Sequence, residues 1–239
     1  MERNELVLAR LSNQYLLRTG ERMEVLRAMN GFQAQFLSNA LHAMRLRSTA
    51  YDAAHAANGL VKGWTLRGTM HIFAEADLPL FLHTGCRYRS RDWTVPSFWN
   101  QRPNWALTPK RQAYFSDLII DALAQGPMTR EALKARCRAA GMTQAEEGSI
   151  FHPWGGGIRE LCERGFLCGT VSEEKAFRLC PAFTPMEEQD ALLEQTRRYF
   201  TNYGPASVRD AAYYFGTSQA EIKKRLARLP VEAAKYEGQ

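Results

Sequence analysis

Two carboxamides one residue apart, Gln33 and Gln35 in "NGFQAQFLSNALHAMRLRS" (residues 30–48), are the side chains whose spacing first suggests chemistry. Glutamine does not titrate, so the pair cannot serve as a general acid or base. It can hold a water and turn carbonyl dipoles toward a developing positive charge. It can equally satisfy loose backbone groups where the chain breaks at Gly31. A second group lies in "WTLRGTMHIF" (64–73), where Arg67, Thr69 and His71 are expected on one face of an extended strand. There they would meet phosphates or lie beside the glutamines. Asp92 and Asp117 offer no paired-acid geometry. Five histidines are scattered, and five cysteines (Cys86, Cys137, Cys162, Cys168, Cys180) form no C-x-x-C pair. No metal site is therefore expected, and the thiols read as buried and reduced.

The chain has 239 residues, 45% hydrophobic and 23% charged, which suits one domain or two to three small ones. No apolar run approaches membrane-spanning length, and the N-terminus lacks a signal peptide's basic-then-apolar order. The expected location is the cytoplasm, with no membrane partner. A net charge of +6 is compatible with a polyanionic one.

The elements that must position these residues are short. "ELVLARLSNQYLL" reads as a helix broken at Thr19-Gly20, and "ERMEVLRAMN" as a second stopped by Asn30-Gly31. Helical periodicity resumes in "FLSNALHAMRLRS", and "TAYDAAHAANG" reads as another helix ending at Gly59. From Leu60 the period becomes two, the mark of a β-ribbon with one wet face, with Gly68 as a bend or bulge. Residues 93–109 look like a connector whose tryptophans anchor it to a core. "KRQAYFSDLIIDALAQ" is an amphipathic helix. A Gly-Pro turn and the N-cap Thr129 open the next helix, and "FLCGTVSEEKAFRL" gives two strands around residues 172–175.

Gly126-Pro127 and Gly204-Pro205 open matching stretches, each running through Arg-acidic-Ala, a helix, a glycine and Gln-Ala-Glu. This internal repeat organises the chain into helix-rich units that end in hairpins. The expected fold is mainly α with small β-hairpins (α+β), built as tandem winged-helix (helix-turn-helix) units at 1–92, 110–184 and 185–239, with the connector at 93–109. "VEAAKYEGQ" reads as the first strand of a third wing entering its turn at Glu237-Gly238, so that wing is expected incomplete. Winged helices commonly bind duplex DNA through a recognition helix and a wing on the backbone, and the basic balance favours that role. Arg45 and Arg47, at a helix end, are assigned to phosphates. Lys223 and Lys224, with Arg225 and Arg228, form a basic run that either faces DNA or is simply solvated.

Gln33-Ala34-Gln35 followed by the Arg-Gly-Thr-x-His ribbon (Arg67 to His71) resembles the winged-helix bacterial DNA glycosylases that remove alkylated bases and unhook interstrand crosslinks. The likeness covers the whole chain in architecture, and its sharp motifs end by Phe73. Two features depart from it. Family members usually continue past this chain's end, through a third wing into a β-rich region, and Phe36-Leu37 stands where Asp-Pro is frequent in part of the family. The resemblance implies a monofunctional glycosylase needing no metal or organic cofactor, acting on alkylated or crosslinked double-stranded DNA. The residues leave the oligomeric state open, with a monomer as the expectation. The resemblance also implies Gln33 as the residue that positions water and the sugar, with Gln35 assisting. An N7- or N3-alkylated purine is already a cation and leaves readily, so neutral amides suffice where ordinary glycosidic bonds need carboxylates. Two other readings stay open from the residues: a non-enzymatic transcriptional regulator and a protein-interaction module.

Overall fold

The stop at Asn30-Gly31 is where helix gives way to sheet, and it sets the geometry around the glutamines. The computed structural model describes residues 1–236. Its first part carries α1 (Arg3–Asn13), α2 (Arg22–Ala28), the strand β1 (Phe32–Gln33), α3 (Leu37–Arg45), β2 (Leu60–Trp64), β3 (Met70–Ala74) and the single turn α4 (Leu78–Phe81). After an irregular stretch come α5 (Pro109–Leu123), β4 (Met128–Thr129), α6 (Arg130–Ala139), α7 (Gln144–Ile150), α8 (Gly156–Glu163), β5 (Leu167–Gly169) and β6 (Ala176–Leu179). The last part is helical: α9 (Glu188–Tyr203), α10 (Val208–Phe215) and α11 (Gln219–Leu226). The architecture is α+β, with one small antiparallel sheet among many helices. No helix among the described residues is long and apolar enough to cross a membrane.

The ribbon from Leu60 is a hairpin rather than one strand. Arg67 (φ 54°) and Gly68 (φ 64°) turn the chain with two consecutive left-handed residues, and β2 pairs with β3 from Leu60↔Ala74 to Trp64↔Met70. The two expected wings are also not separate. The strand order is β1-β3-β2-β5-β6-β4, and the hairpins join at Lys62↔Gly169. A Cβ on Gly169 would lie 3.1 Å from the Lys62 carbonyl, so the glycine permits this close seam.

Three further expectations are corrected. Residues 49–59 form turns instead of a helix. Their alanines offer little to bury, and the Asp52 carboxylate accepts the Ala54 N–H in a competing local bond of 2.9 Å. Helix α1 ends at Asn13, before Tyr15 at φ 60°, and Leu16 and Leu17 stay exposed. Residues 231–236 form no strand, so no third wing exists among the described residues; the turn expected at Glu237-Gly238 lies outside them.

Helix α9 fixes the end of α2. The last carbonyls of a helix lack partners within it. Here Arg198 donates to the Arg27 carbonyl (3.0 Å), Asn202 to Ala28 (2.9 Å) and Tyr203 to Met29 (3.2 Å). The same Arg198 makes a two-pronged pair with buried Asp77 at 2.8 and 3.0 Å. Beyond this capped end, Asn30 (φ 56°) and Gly31 (φ 80°) bend the chain into β1. A Cβ on Gly31 would sit 2.6 Å from the Ile72 carbonyl, so only glycine lets β1 approach β3.

Candidate functional site

Four residues of strand-like chain carry the glutamines. Phe32 and Ala34 are buried in the first core cluster with Val25, Leu26, Ala40 and Ile72, while Gln33 and Gln35 are exposed. This in–out alternation is the period of a half-buried edge strand. Pairing is secured at Phe32↔Ile72 and Gln33↔His71, and Ala34 still donates its N–H to the Met70 carbonyl at 2.7 Å. The glutamines therefore project from a sheet edge and are not tied up as caps in a helical corner.

Residues directly opposite in an antiparallel pair share a face, so His71 neighbours Gln33. His71 is buried, and its Nδ1 lies 3.0 Å from the Thr69 carbonyl. A carbonyl only accepts, so Nδ1 carries the proton and Nε2 keeps the lone pair. Burial lowers the imidazole's pKa; the Thr69 bond opposes this and the nearby Arg67 charge adds to it. The ring beside Gln33 is thus neutral at physiological pH.

Gln35 opens onto a cleft of about 420 Å³ that straddles the seam between the two hairpins. Lys62, Arg130, Arg159 and Lys175 line it, against the single carboxylate of Glu174. Trp64, Thr69, Trp154 and Phe177 supply much of the remaining wall. Burial, then the charge of Lys175, lowers the Lys62 pKa. Arg159 is held at 2.6 Å by Glu163, and its guanidinium rests against Gly68 at the hairpin turn, where a Cβ would collide with it. This contact draws the first hairpin toward α8 and walls the cleft.

The other anticipated residues scatter. Thr69 lines the cleft. Arg67 does not share a strand face with Thr69 and His71, because it sits in the left-handed turn; its exposed guanidinium lies 5.6 Å from the Tyr213 ring and 5.8 Å from Tyr214 on α10. Arg45 is exposed at the last position of α3, about 12 Å along the helix axis from Leu37 at its start. Arg47 is partly exposed and packed into the fold. It donates to the Gln14 carbonyl (3.0 Å) and the Ala43 carbonyl (2.9 Å) and stacks 5.5 Å from the Phe32 ring. Lys223 and Lys224 are exposed on α11 and take no part in the cleft, whereas Arg225 is buried against Glu221 at 3.2 Å.

Sequence reasoning missed Lys62, Arg130, Trp154, Arg159 and Lys175. Lys62 alone carried a signal, as a cation at an even, otherwise apolar position of the period-two run. The described residues contain no cluster of three or more His, Cys, Asp or Glu suited to a metal ion.

A family model described as "DNA glycosylase AlkZ-like" matches residues 26–238. An "Interstrand DNA cross-link repair glycosylase" of Streptomyces sahachiroi is 28% identical over 202 residues, covering 77% of this chain and 52% of that protein. The chain thus spans about half the length of this relative. The solved structure of Streptomyces sahachiroi DNA glycosylase AlkZ superposes with a TM-score of 0.72 at 22% identity, covering 99% of this chain and 67% of that one. That superposition establishes a shared fold.

Proposed function

This chain belongs to the AlkZ-like DNA glycosylase family, and from that premise we propose that it is a monofunctional DNA glycosylase excising cationic alkylated purines or crosslinked bases from duplex DNA. Family membership favours this reading over a transcriptional regulator or an interaction scaffold. The observation that carries it is Gln35 opening onto a cation-lined cleft, with Gln33 exposed on the strand just before it.

The chemistry follows from the charge of the leaving group. An N7- or N3-alkylated purine needs no proton to depart, so its glycosidic bond breaks toward an oxocarbenium-like sugar and a neutral base. Two tasks then remain. A water must be held under C1′, and the positive charge that moves onto the sugar must face negative dipoles. Gln33 holds the water through its carbonyl oxygen and its amide. Gln35 turns its carbonyl toward the sugar from the cleft side. Neutral His71, next to Gln33, adds no competing positive charge there. Lys62, Arg130 and Lys175 hold phosphates around the lesion, a role that gives position rather than sequence preference. A cleft of this volume lies within the ~300–1,000 Å³ of small-molecule sites. It takes a base with an adduct more readily than a tight extrusion pocket does.

Glu174 is the one cleft residue that could instead act as a carboxylate catalyst. The test is release of 7-methylguanine from duplex DNA by wild type, Gln33→Ala, Gln35→Ala and Glu174→Gln under single turnover. The expected result is a loss of about 100- to 1,000-fold on removing either carboxamide, the scale of one preorganised dipole, with DNA affinity kept. Glu174→Gln should retain wild-type chemistry. Wild type that releases no base, or a loss confined to Glu174→Gln, refutes the proposal.

A further inference from the structure

Four of the five tryptophans are packed against the interior. Trp93 and Trp99 are buried, and Trp64 and Trp105 are partly buried against the core cluster that holds Trp93. Trp154 is the exception, at 73% exposed. An indole is the largest apolar side chain, and leaving it in water forfeits the burial that makes tryptophan useful in a fold. The turn that displays it is nevertheless rigidly built. The His152 carbonyl accepts from Arg130 at 2.7 Å and from the Gly155 N–H at 2.8 Å, while the Trp154 N–H donates to His152 Nδ1 at 3.2 Å. His152 itself packs 5.5 Å from the Trp99 ring. Gly155 (φ 138°) and Gly156 (φ 62°) then reverse the chain into α8, and a Cβ on Gly155 would meet Trp99 at 2.9 Å.

An exposed aromatic on a fixed turn, lining the same cleft as Gln35 and flanked by Arg130 and Lys175, matches what a nucleobase requires of a binding surface. Cations carry the backbone, and a ring offers a flat apolar face that accepts any base. We propose that Trp154 is the stacking platform for the adducted base once it has left the helix, and that it makes the cleft favour lesions with large planar faces. This inference rests on the glycosylase reading, and deepens it by naming the side chain that receives the base.

The test uses 2-aminopurine, a fluorescent purine, at the target position of a duplex opposite an abasic analogue, so that it leaves the stack freely. Wild type, Trp154→Ala and Trp154→Phe are titrated while fluorescence and anisotropy are followed, and 7-methylguanine release is measured in parallel. Stacking on an indole quenches 2-aminopurine. Wild type should quench it on binding, Trp154→Ala should let it brighten, and Trp154→Phe should restore part of the quench. Affinity for the damaged duplex should fall roughly 5- to 100-fold in Trp154→Ala, the loss of about one base–aromatic stack, with affinity for intact duplex unchanged. Because the indole is exposed, thermal stability should match wild type in both variants. Equal quenching by wild type and Trp154→Ala overturns the proposal, as does an equal loss of affinity for damaged and intact duplex. Neither readout needs chemistry, so a wild type that quenches but releases no base removes the glycosylase reading alone.

Discussion

Removing the carboxylate of Asp77 should loosen the helix end that leads into the glutamine-bearing strand. Asp77 is buried, accepts two bonds from buried Arg198 at 2.8 and 3.0 Å, and accepts a third from Arg27 at 3.2 Å. Breaking a buried ion pair on one side leaves a desolvated charge and costs about 3–5 kcal/mol. Arg198 would keep Glu194, 2.8 Å from its Nε, so Asp77→Ala should fall near the lower end, about 3 kcal/mol. For a chain of this size that corresponds to a fall in Tm of roughly 6–12 °C. Replacing both partners with apolar residues of similar shape, Asp77→Leu with Arg198→Met, removes the stranded charge and should recover most of the loss, less the roughly 1 kcal/mol of the Arg198 bond to the Arg27 carbonyl. Arg27 is half exposed and returns to water. Thermal unfolding followed by circular dichroism, with urea titrations of the same variants, gives the comparison. A single-variant loss below about 1 kcal/mol, the value of a surface pair, would refute the buried-clamp reasoning. So would a double variant as unstable as the single one.

Two more expectations follow from charges placed around the site. Arg45→Ala and Lys175→Ala should each weaken binding evenly across sequences and flatten the log K versus log salt slope by about one; unchanged slopes would remove these residues from the phosphate contacts. His71 has its folded pKa lowered below the ordinary 6.5, so as pH falls the unfolded chain takes up that proton first. Its contribution to stability is complete above 6.5 and is lost as pH drops through the lower folded value. Wild type should therefore lose more stability than His71→Gln over that descent in denaturant titrations at stepped pH, and parallel curves would contradict the assignment.

How much of this was legible in the chain depended on the length of each pattern. The ribbon from Leu60 was visible because period two held over many residues, but the tight turn at Arg67-Gly68 was hidden inside it. That turn sends Arg67 to the rings of Tyr213 and Tyr214, away from the strand face where alternation had put it. The strand β1 could not be read, because Phe32–Gln33 is too short for any period and exists through its pairing with β3. The alanine-rich stretch after Thr49 showed the reverse error, with good helix formers but nothing large enough to bury. The glutamine pair was found from its residue types and its resemblance. The cleft that Gln35 faces was not, since Lys62, Arg130, Trp154 and Lys175 are far apart along the chain and meet where the seam at Gly169 joins two hairpins.

The central claim is that a base leaving from a cationic state lets two uncharged amides replace the carboxylates of ordinary glycosidic hydrolysis. Its most direct test compares single-turnover excision of 7-methylguanine with that of 7-deaza-7-methylguanine, a base of nearly the same shape that carries no positive charge. The expected result is release of the first, dependent on Gln33 and Gln35, and no measurable release of the second from duplexes bound with equal affinity. Comparable rates on the two bases would contradict the claim, because a neutral leaving group can be expelled that fast only with a proton donor that neither carboxamide provides.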